Sequence, residues 1–211
     1  MSGFQDCIMS EVRWADPGDA AAVADRVAAE VARSGAKRLA VPGGSTPLKV
    51  FELLAARDLD WAGVTLTLTD ERLVPDDHPA SNYAKLAAAL GSKVAGIERL
   101  VEGMEVAPFD LVWLGMGEDG HVASLFPHMA AVIRPGPTVI ATTPIPLPPE
   151  APFDRLSLNR AALRQAREII LVVSGKKKRK VIDRAMMGSD VYPVSDYLRG
   201  EGPPVTIYWS E

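Results

Sequence analysis

Short apolar runs rich in β-branched residues alternate along the chain with segments of helical spacing, and that alternation restricts the fold more than any other feature. The runs fall at 38–41, 64–69, 111–114, 139–142, 169–173 and 205–208. Parallel strands need a crossover long enough to bring the chain back to the same edge, and a helix is the usual crossover. Two of the intervening segments read clearly as helices. Val23, Val27 and Val31 keep helical spacing after Asp16-Pro17, and Val50, Leu53 and Leu54 do so after Thr46-Pro47. The expected fold is α/β, with a mostly parallel sheet flanked by helices.

A chain of 211 residues, 47% apolar and 24% charged, can bury one full core, so residues 1–211 are expected to form a single domain. Seven prolines between 135 and 152 would suit a linker. The stretch after them is short for an independent core, so the segment reads as a surface connection that could cover a site. The net charge of −4 gives no general attraction for nucleic acid or an anionic membrane, so any anion must be held locally. Cys7, the single cysteine, allows neither an intrachain disulfide nor a thiolate metal site, which fits a reducing cytoplasm. Residues 1–14 lack the pattern of a secretory signal, and no run approaches the ~18 apolar residues of a membrane helix. A soluble, cytoplasmic protein is expected.

Four turns could carry chemistry. Pro42-Gly43-Gly44-Ser45-Thr46-Pro47 joins a strand to a helix. Glycines let backbone approach a ligand, and a helix start offers free N–H groups at the positive end of its dipole, so the turn suits an anion. The same residues also read as an ordinary N-cap followed by proline. Ser174-Gly175-Lys176-Lys177-Lys178 is a second strand-to-helix turn, where a bound anion would relieve lysines set at the wrong end of a helix dipole. Solvated lysines are the plainer reading. In Thr69-Asp70-Glu71-Arg72, Arg72 could fork onto an oxyanion and Asp70 could bind hydroxyls or move protons. A solvated strand end would look the same, and Ser81-Asn82-Tyr83 downstream reads as a helix cap.

The fourth turn, Gly115-Met116-Gly117-Glu118-Asp119-Gly120-His121, contains G-x-G-x-x-G. No acidic residue follows at the distance a ribose hydroxyl requires, and Pro127 would stop the following helix early, so a dinucleotide site is rejected. What remains is a glycine-rich turn at the edge where open α/β sheets place ligands, with His121 directed at the crevice and Asp119 near enough to orient its ring. His78, His121 and His128 show no metal-binding spacing, and no G-x-S-x-G elbow marks a nucleophilic serine. Together the four turns suit a small phosphorylated metabolite.

In their order, PGGSTP, TDER with SNY, LGMGEDGHVASLFP, RLSL and SGKKK resemble the 6-phosphogluconolactonase family, and GMGEDGHVASLFP is the specific signal. The resemblance implies a three-layer, modified Rossmann-like fold of the glucosamine-6-phosphate isomerase type. It implies hydrolysis of 6-phosphoglucono-1,5-lactone to 6-phosphogluconate, the second step of the oxidative pentose phosphate pathway, by a monomer or homodimer with no cofactor and no metal. By position it makes Gly43, Gly44, Ser45 and Thr46 a phosphate loop, with Lys178 as its lysine. Arg72 and Arg155 become substrate arginines, and His121 the catalytic histidine beside Asp119. Asp70 matches an acid that is catalytic in the related glucosamine-6-phosphate isomerases.

The chain departs from the family at Arg179, where a small residue commonly follows the lysine, and at His128, where glycine is frequent. Two other functions stand against the lactonase. A deaminase would carry glutamate where Phe126 stands. A non-catalytic sugar-phosphate sensor of the regulator type would carry a DNA-binding segment before the strand near Val12, and none is read there.

Overall fold

The computed structural model describes residues 11–127, 129, 136–149, 151–190 and 192–211; Cys7 and His128 lie outside them, as do most of the residues 1–14 read for a secretory signal. In chain order the elements are β1 (Val12–Trp14), α1 (Ala20–Val31), β2 (Lys37–Val41), α2 (Ser45–Ala55), β3 (Val64–Leu68), β4 (Asp70–Arg72), α3 (Asn82–Leu90) and β5 (Gly96–Glu98). They continue with β6 (Leu111–Gly115), β7 (Val139–Thr142), β8 (Arg155–Leu158), α4 (Arg160–Arg164), β9 (Ile169–Ser174), α5 (Lys176–Met187), α6 (Ser195–Leu198) and β10 (Val205–Ser210).

Seven strands form one parallel sheet in the order β1-β10-β9-β6-β2-β3-β5. Its middle strands are buried on both faces, which is why they read as continuous apolar runs rather than as alternating ones. β6 illustrates this. Leu111 and Trp113 pack among Val23, Phe51, Leu54 and Leu86 of the helices on one face, while Val112 and Leu114 pack among Leu163, Ile182 and Tyr197 on the other. Fully burying each such side chain contributes about 1.5–3 kcal/mol, so the two-sided core holds the helices onto the sheet.

The run at 139–142 departs from the expected parallel arrangement. It forms β7 of a separate antiparallel sheet, ordered β4-β8-β7. Residues 70–72 are themselves a strand of that sheet rather than a loop beyond β3, with Asp70 opposite Ser157 and Arg72 opposite Arg155. Local apolarity could not separate the two sheets, because strand direction is set by the connection and not by the run itself. Helix starts also differ. α1 is capped by Asp19, whose side chain accepts from Ala22 N–H, rather than by Asp16-Pro17. α2 begins at Ser45, so Pro47 lies within its first turn and not at its first position. Among the described residues no helix is long and apolar enough to cross a membrane.

Because the strands are parallel, the turns after β2, β3, β6 and β9 emerge at one edge. β2 sits beside both β3 and β6. The chain leaves β2 toward one side and later returns on the other, which opens a crevice beyond the carboxyl ends of β2 and β6.

Candidate active site

A cleft of about 330 Å³ occupies that crevice, and its walls include Gly43, Gly44 and Thr46 from the β2 turn, Asp70 and Arg72 from β4, His121, Arg155 and Lys178. Of the described site residues expected from the sequence, Asp119 is not among the groups forming its walls. Ser45 begins α2, but its side chain lies outside what is described. Asp119 stands just behind His121.

The two helices that start at this cleft differ from the other long ones. α1 and α3 are capped by the side chains of Asp19 and Ser81, as is the short α4 by Asn159. α2 and α5 begin at glycines, Gly44 with φ 103° and Gly175 with φ 88°, and neither has a side-chain cap. Their first N–H groups therefore lack the side-chain acceptor that α1, α3 and α4 supply, so two positive dipole ends are left for an external anion. Of the lysines after Gly175, Lys176 pairs with Glu211 at 3.5 Å and Lys177 with Glu118 at 3.2 Å. Lys178 lines the cleft. Arg179 turns the other way, its guanidinium 3.7 Å from the ring centre of Trp14 and bonded to Asp183. The helical rotation of about 100° per residue thus separates Lys176, Lys177, Lys178 and Arg179, which the sequence presents within one basic run.

At the other wall the turn after β6 closes tightly, with Gly117 N–H bonded to His121 O at 3.0 Å. His121 Nδ1 lies 2.6 Å from Asp119 Oδ1, which also accepts from the His121 N–H at 3.2 Å. Burial acts to raise the Asp119 carboxyl, but the hydrogen bond and charge of His121 outweigh it and hold the group below its usual range. An Nδ1–H given to Asp119 leaves Nε2 as the nitrogen free to accept a proton. A side chain at Gly117 would sit 2.2 Å from His121 Cε1, so the glycine makes room for this pair. The ring of Phe126 covers the imidazole, with centroids 4.6 Å apart. No helix follows this turn: residues 122–125 form tight turns closed by bridges, so the helix expected to end at Pro127 is absent.

The small sheet brings the remaining charges together. Arg72 and Asp70 are two residues apart on β4 and so share a face, opposite Arg155 and Ser157 of β8. Arg72 donates through Nη1 to Ala80 O at 2.8 Å and Asn82 Oδ1 at 2.7 Å. Arg155 is buried 3.9 Å from Asp70 and donates through Nη2 to Ala151 O at 3.3 Å. Burial pulls its guanidinium down from its ordinary value, Asp70 opposes the shift and Arg72 adds to it. The buried Nε atoms of both arginines lack a hydrogen-bond partner, so a bound anion would be strongly favoured here.

Sequence reasoning read Ser81-Asn82-Tyr83 as a simple cap. Ser81 does cap α3, accepting from Ala84 N–H at 3.1 Å. That frees the Asn82 side chain, which joins Arg72 to the Asp70 carbonyl. Glu71 was read only as a strand-end charge; it accepts the Asn82 and Tyr83 N–H groups and so completes the cap. An acid placed ten or so residues before a helix start carries no local signal, so neither role was visible.

A family described as glucosamine-6-phosphate isomerases/6-phosphogluconolactonase matches residues 18–102 and 95–203. The chain is 36% identical over 210 residues to a 6-phosphogluconolactonase of Pseudomonas putida, covering 89% of this chain and 85% of that one. It is also 36% identical over 216 residues to a 6-phosphogluconolactonase of Rhizobium meliloti, covering 89% and 90%. A solved 6-phosphogluconolactonase structure from Shewanella baltica superposes with a TM-score of 0.78 at 31% identity, over 96% of this chain and 98% of that one.

Proposed function

The chain belongs to the glucosamine-6-phosphate isomerase/6-phosphogluconolactonase family, and from that premise we propose that it hydrolyses 6-phosphoglucono-1,5-lactone to 6-phosphogluconate with His121 as its proton carrier. The observation that carries the reading is the shared cleft. His121, backed by Asp119, stands in one wall, and two glycine-capped helix starts with Lys178 stand in another. A ligand with a phosphate at one end and an ester carbonyl at the other matches both.

In this mechanism the phosphate takes the free N–H groups at the starts of α2 and α5 and the Lys178 ammonium. His121 Nε2 removes a proton from water as its oxygen attacks the lactone carbonyl. Arg72 or the amides of the glycine turn hold the oxyanion that forms, a contribution of roughly 10²–10³-fold per donor in enzymes of this kind. When the intermediate collapses, the bond from the carbonyl carbon to the ring oxygen breaks, and the imidazolium returns its proton to that oxygen. Asp119 stabilises the imidazolium in between. Only water is consumed, so the reading needs no organic cofactor. The single cysteine and the acidic balance support a cytoplasmic place for the enzyme.

The test is lactone opening on freshly generated substrate, with spontaneous hydrolysis subtracted, run beside ammonia release from glucosamine 6-phosphate. Lactone opening without ammonia release is expected. The apolar Phe126 against His121 supports that choice, because it puts a ring where ring-opening chemistry would need a carboxylate. Binding of the sugar phosphate with neither activity would defeat the reading. In the same assay Lys178→Ala is expected to raise KM about tenfold or more with little change in kcat, the loss of one charge-assisted contact that is equal in ground and transition states. Lys177→Ala, whose ammonium pairs with Glu118, should stay close to wild type. Equal effects at both positions would mean that Lys178 has no special place.

A further inference from the structure

Ser124 lies three residues beyond His121 and is completely buried. Its Oγ donates to Asp70 Oδ2 at 2.7 Å, and its N–H donates to Ser157 Oγ at 3.2 Å. Ser157 in turn donates to Leu158 O at 3.0 Å. The far end of the His121 turn is thereby fastened to two strands of the small sheet, β4 through Asp70 and β8 through Ser157.

Between the fastening and the imidazole stands Ala123, with φ 49°, the single non-glycine residue at positive φ among the described residues. An L-residue holds that left-handed conformation only where its surroundings impose it. Ser124 is the adjoining residue tied to the small sheet, its hydroxyl to Asp70 and its backbone N–H to Ser157. Leu125 N–H closes the turn on Val122 O at 3.0 Å, and the Ser124 hydroxyl is the bond that ties the turn to Asp70.

Asp70 is suited to be the anchor. It is 8% exposed, Oδ1 accepts from the Thr69 hydroxyl at 3.3 Å, and Oδ2 faces both Ser124 and, at 3.9 Å, Arg155. The carboxylate that touches the His121 ring is Asp119. We propose that Ser124 is a positioning residue: its buried hydroxyl, locked to Asp70, holds the left-handed turn at Ala123 that presents His121 to the substrate. Asp70 then serves as the fixed end of that lock and the partner of Arg155, and does not carry the proton. A nucleophilic role for Ser124 fails on burial and on the lack of any imidazole contact.

The kinetic part of the test rests on the lactonase reading, and the spectroscopic part does not. Ser124→Ala is expected to lower kcat about tenfold or more, the equivalent of one charge-assisted hydrogen bond lost from the transition-state geometry, with KM within about twofold. The ring-proton resonance of His121 should shift in the variant at fixed pH, while that of His78 stays in place. Asp70→Asn keeps an oxygen that can accept from Ser124 and should retain clearly more activity than Asp70→Ala. Ser124→Ala added to Asp70→Ala should cost little more, because both remove one lock.

An unchanged kcat in Ser124→Ala, an unmoved His121 resonance, additive losses in the double variant, or an Asp70→Asn enzyme as impaired as Asp70→Ala would each overturn the proposal. If the alanine variant does not fold, Ser124→Cys, close in volume and a weak donor, takes its place with the same expected shifts. Should the wild type open no lactone, the functional reading fails by itself, and the His121 resonance still decides the role of Ser124.

Discussion

Replacing His121 with alanine is expected to lower kcat for lactone opening by ~10²–10⁴-fold while KM stays within about threefold. The size follows from the imidazole serving two proton transfers in the proposed mechanism, with no other histidine among the described residues that line the cleft. The constancy of KM follows from the separation of roles in the proposed mechanism. The proposed phosphate contacts come from the turns after β2 and β9, and the imidazole comes from the turn after β6. The variant also removes the hydrogen bond that holds the Asp119 carboxyl low. In the wild type a carboxyl held below its unfolded value contributes stability that is present above that unfolded value and is lost as pH falls through the lowered one. The histidine–aspartate pair therefore survives acidification into the usual carboxylate range, and Asp119 should not set the acid limb of the pH profile there. Steady-state kinetics across pH check both points. A His121→Ala enzyme within tenfold of wild-type kcat would remove the imidazole from the mechanism.

What the sequence made legible divides along a physical line. The runs at 38–41, 111–114 and 169–173 could be read because a strand buried on both faces needs apolar residues throughout, and the glycine turns that follow are where ligand edges form. β8 escaped because Arg155-Leu156-Ser157-Leu158 has two polar residues and only four positions, too few for a period to show. Its arginine was recovered by resemblance alone. The lysine cluster reads as one patch in sequence, and the helix divides it, with Lys176 and Lys177 paired to Glu211 and Glu118 and Lys178 lining the cleft. Ser124 and Asn82 were invisible as site residues for a different reason. Each is bonded to a partner ten or more positions away, Ser124 to Asp70 and Asn82 to Arg72, and no local pattern encodes such a pairing.

Gly43→Ala tests that hidden layer, because the obstacle to a side chain there is Asn82. A methyl group at position 43 would stand 1.9 Å from Asn82 Cγ and 2.2 Å from both amide heteroatoms. Gly43 is not among the glycines at positive φ, so the backbone itself would accept alanine. Asn82 cannot step aside freely. It is 2% exposed, its Oδ1 accepts from Arg72, its Nδ2 donates to Asp70 O at 3.2 Å, and its backbone N–H is bound to Glu71. Displacing it leaves buried groups unpaired and releases Arg72 from the cleft wall. The expected result is a loss of ~1–3 kcal/mol in stability, typical of an overpacked site, and a fall of about 10²-fold in kcat/KM from misplacing a substrate contact. Gly44→Ala provides the contrast: nothing lies within 4 Å of its Cβ, so its penalty comes from φ 103° and falls on the helix start instead. Adding Asn82→Gly to Gly43→Ala should cost less than the two single changes together, because the second substitution clears the space that the first one needs. Strictly additive losses, in denaturant unfolding and in kcat/KM, would show that the two residues do not contend for one volume.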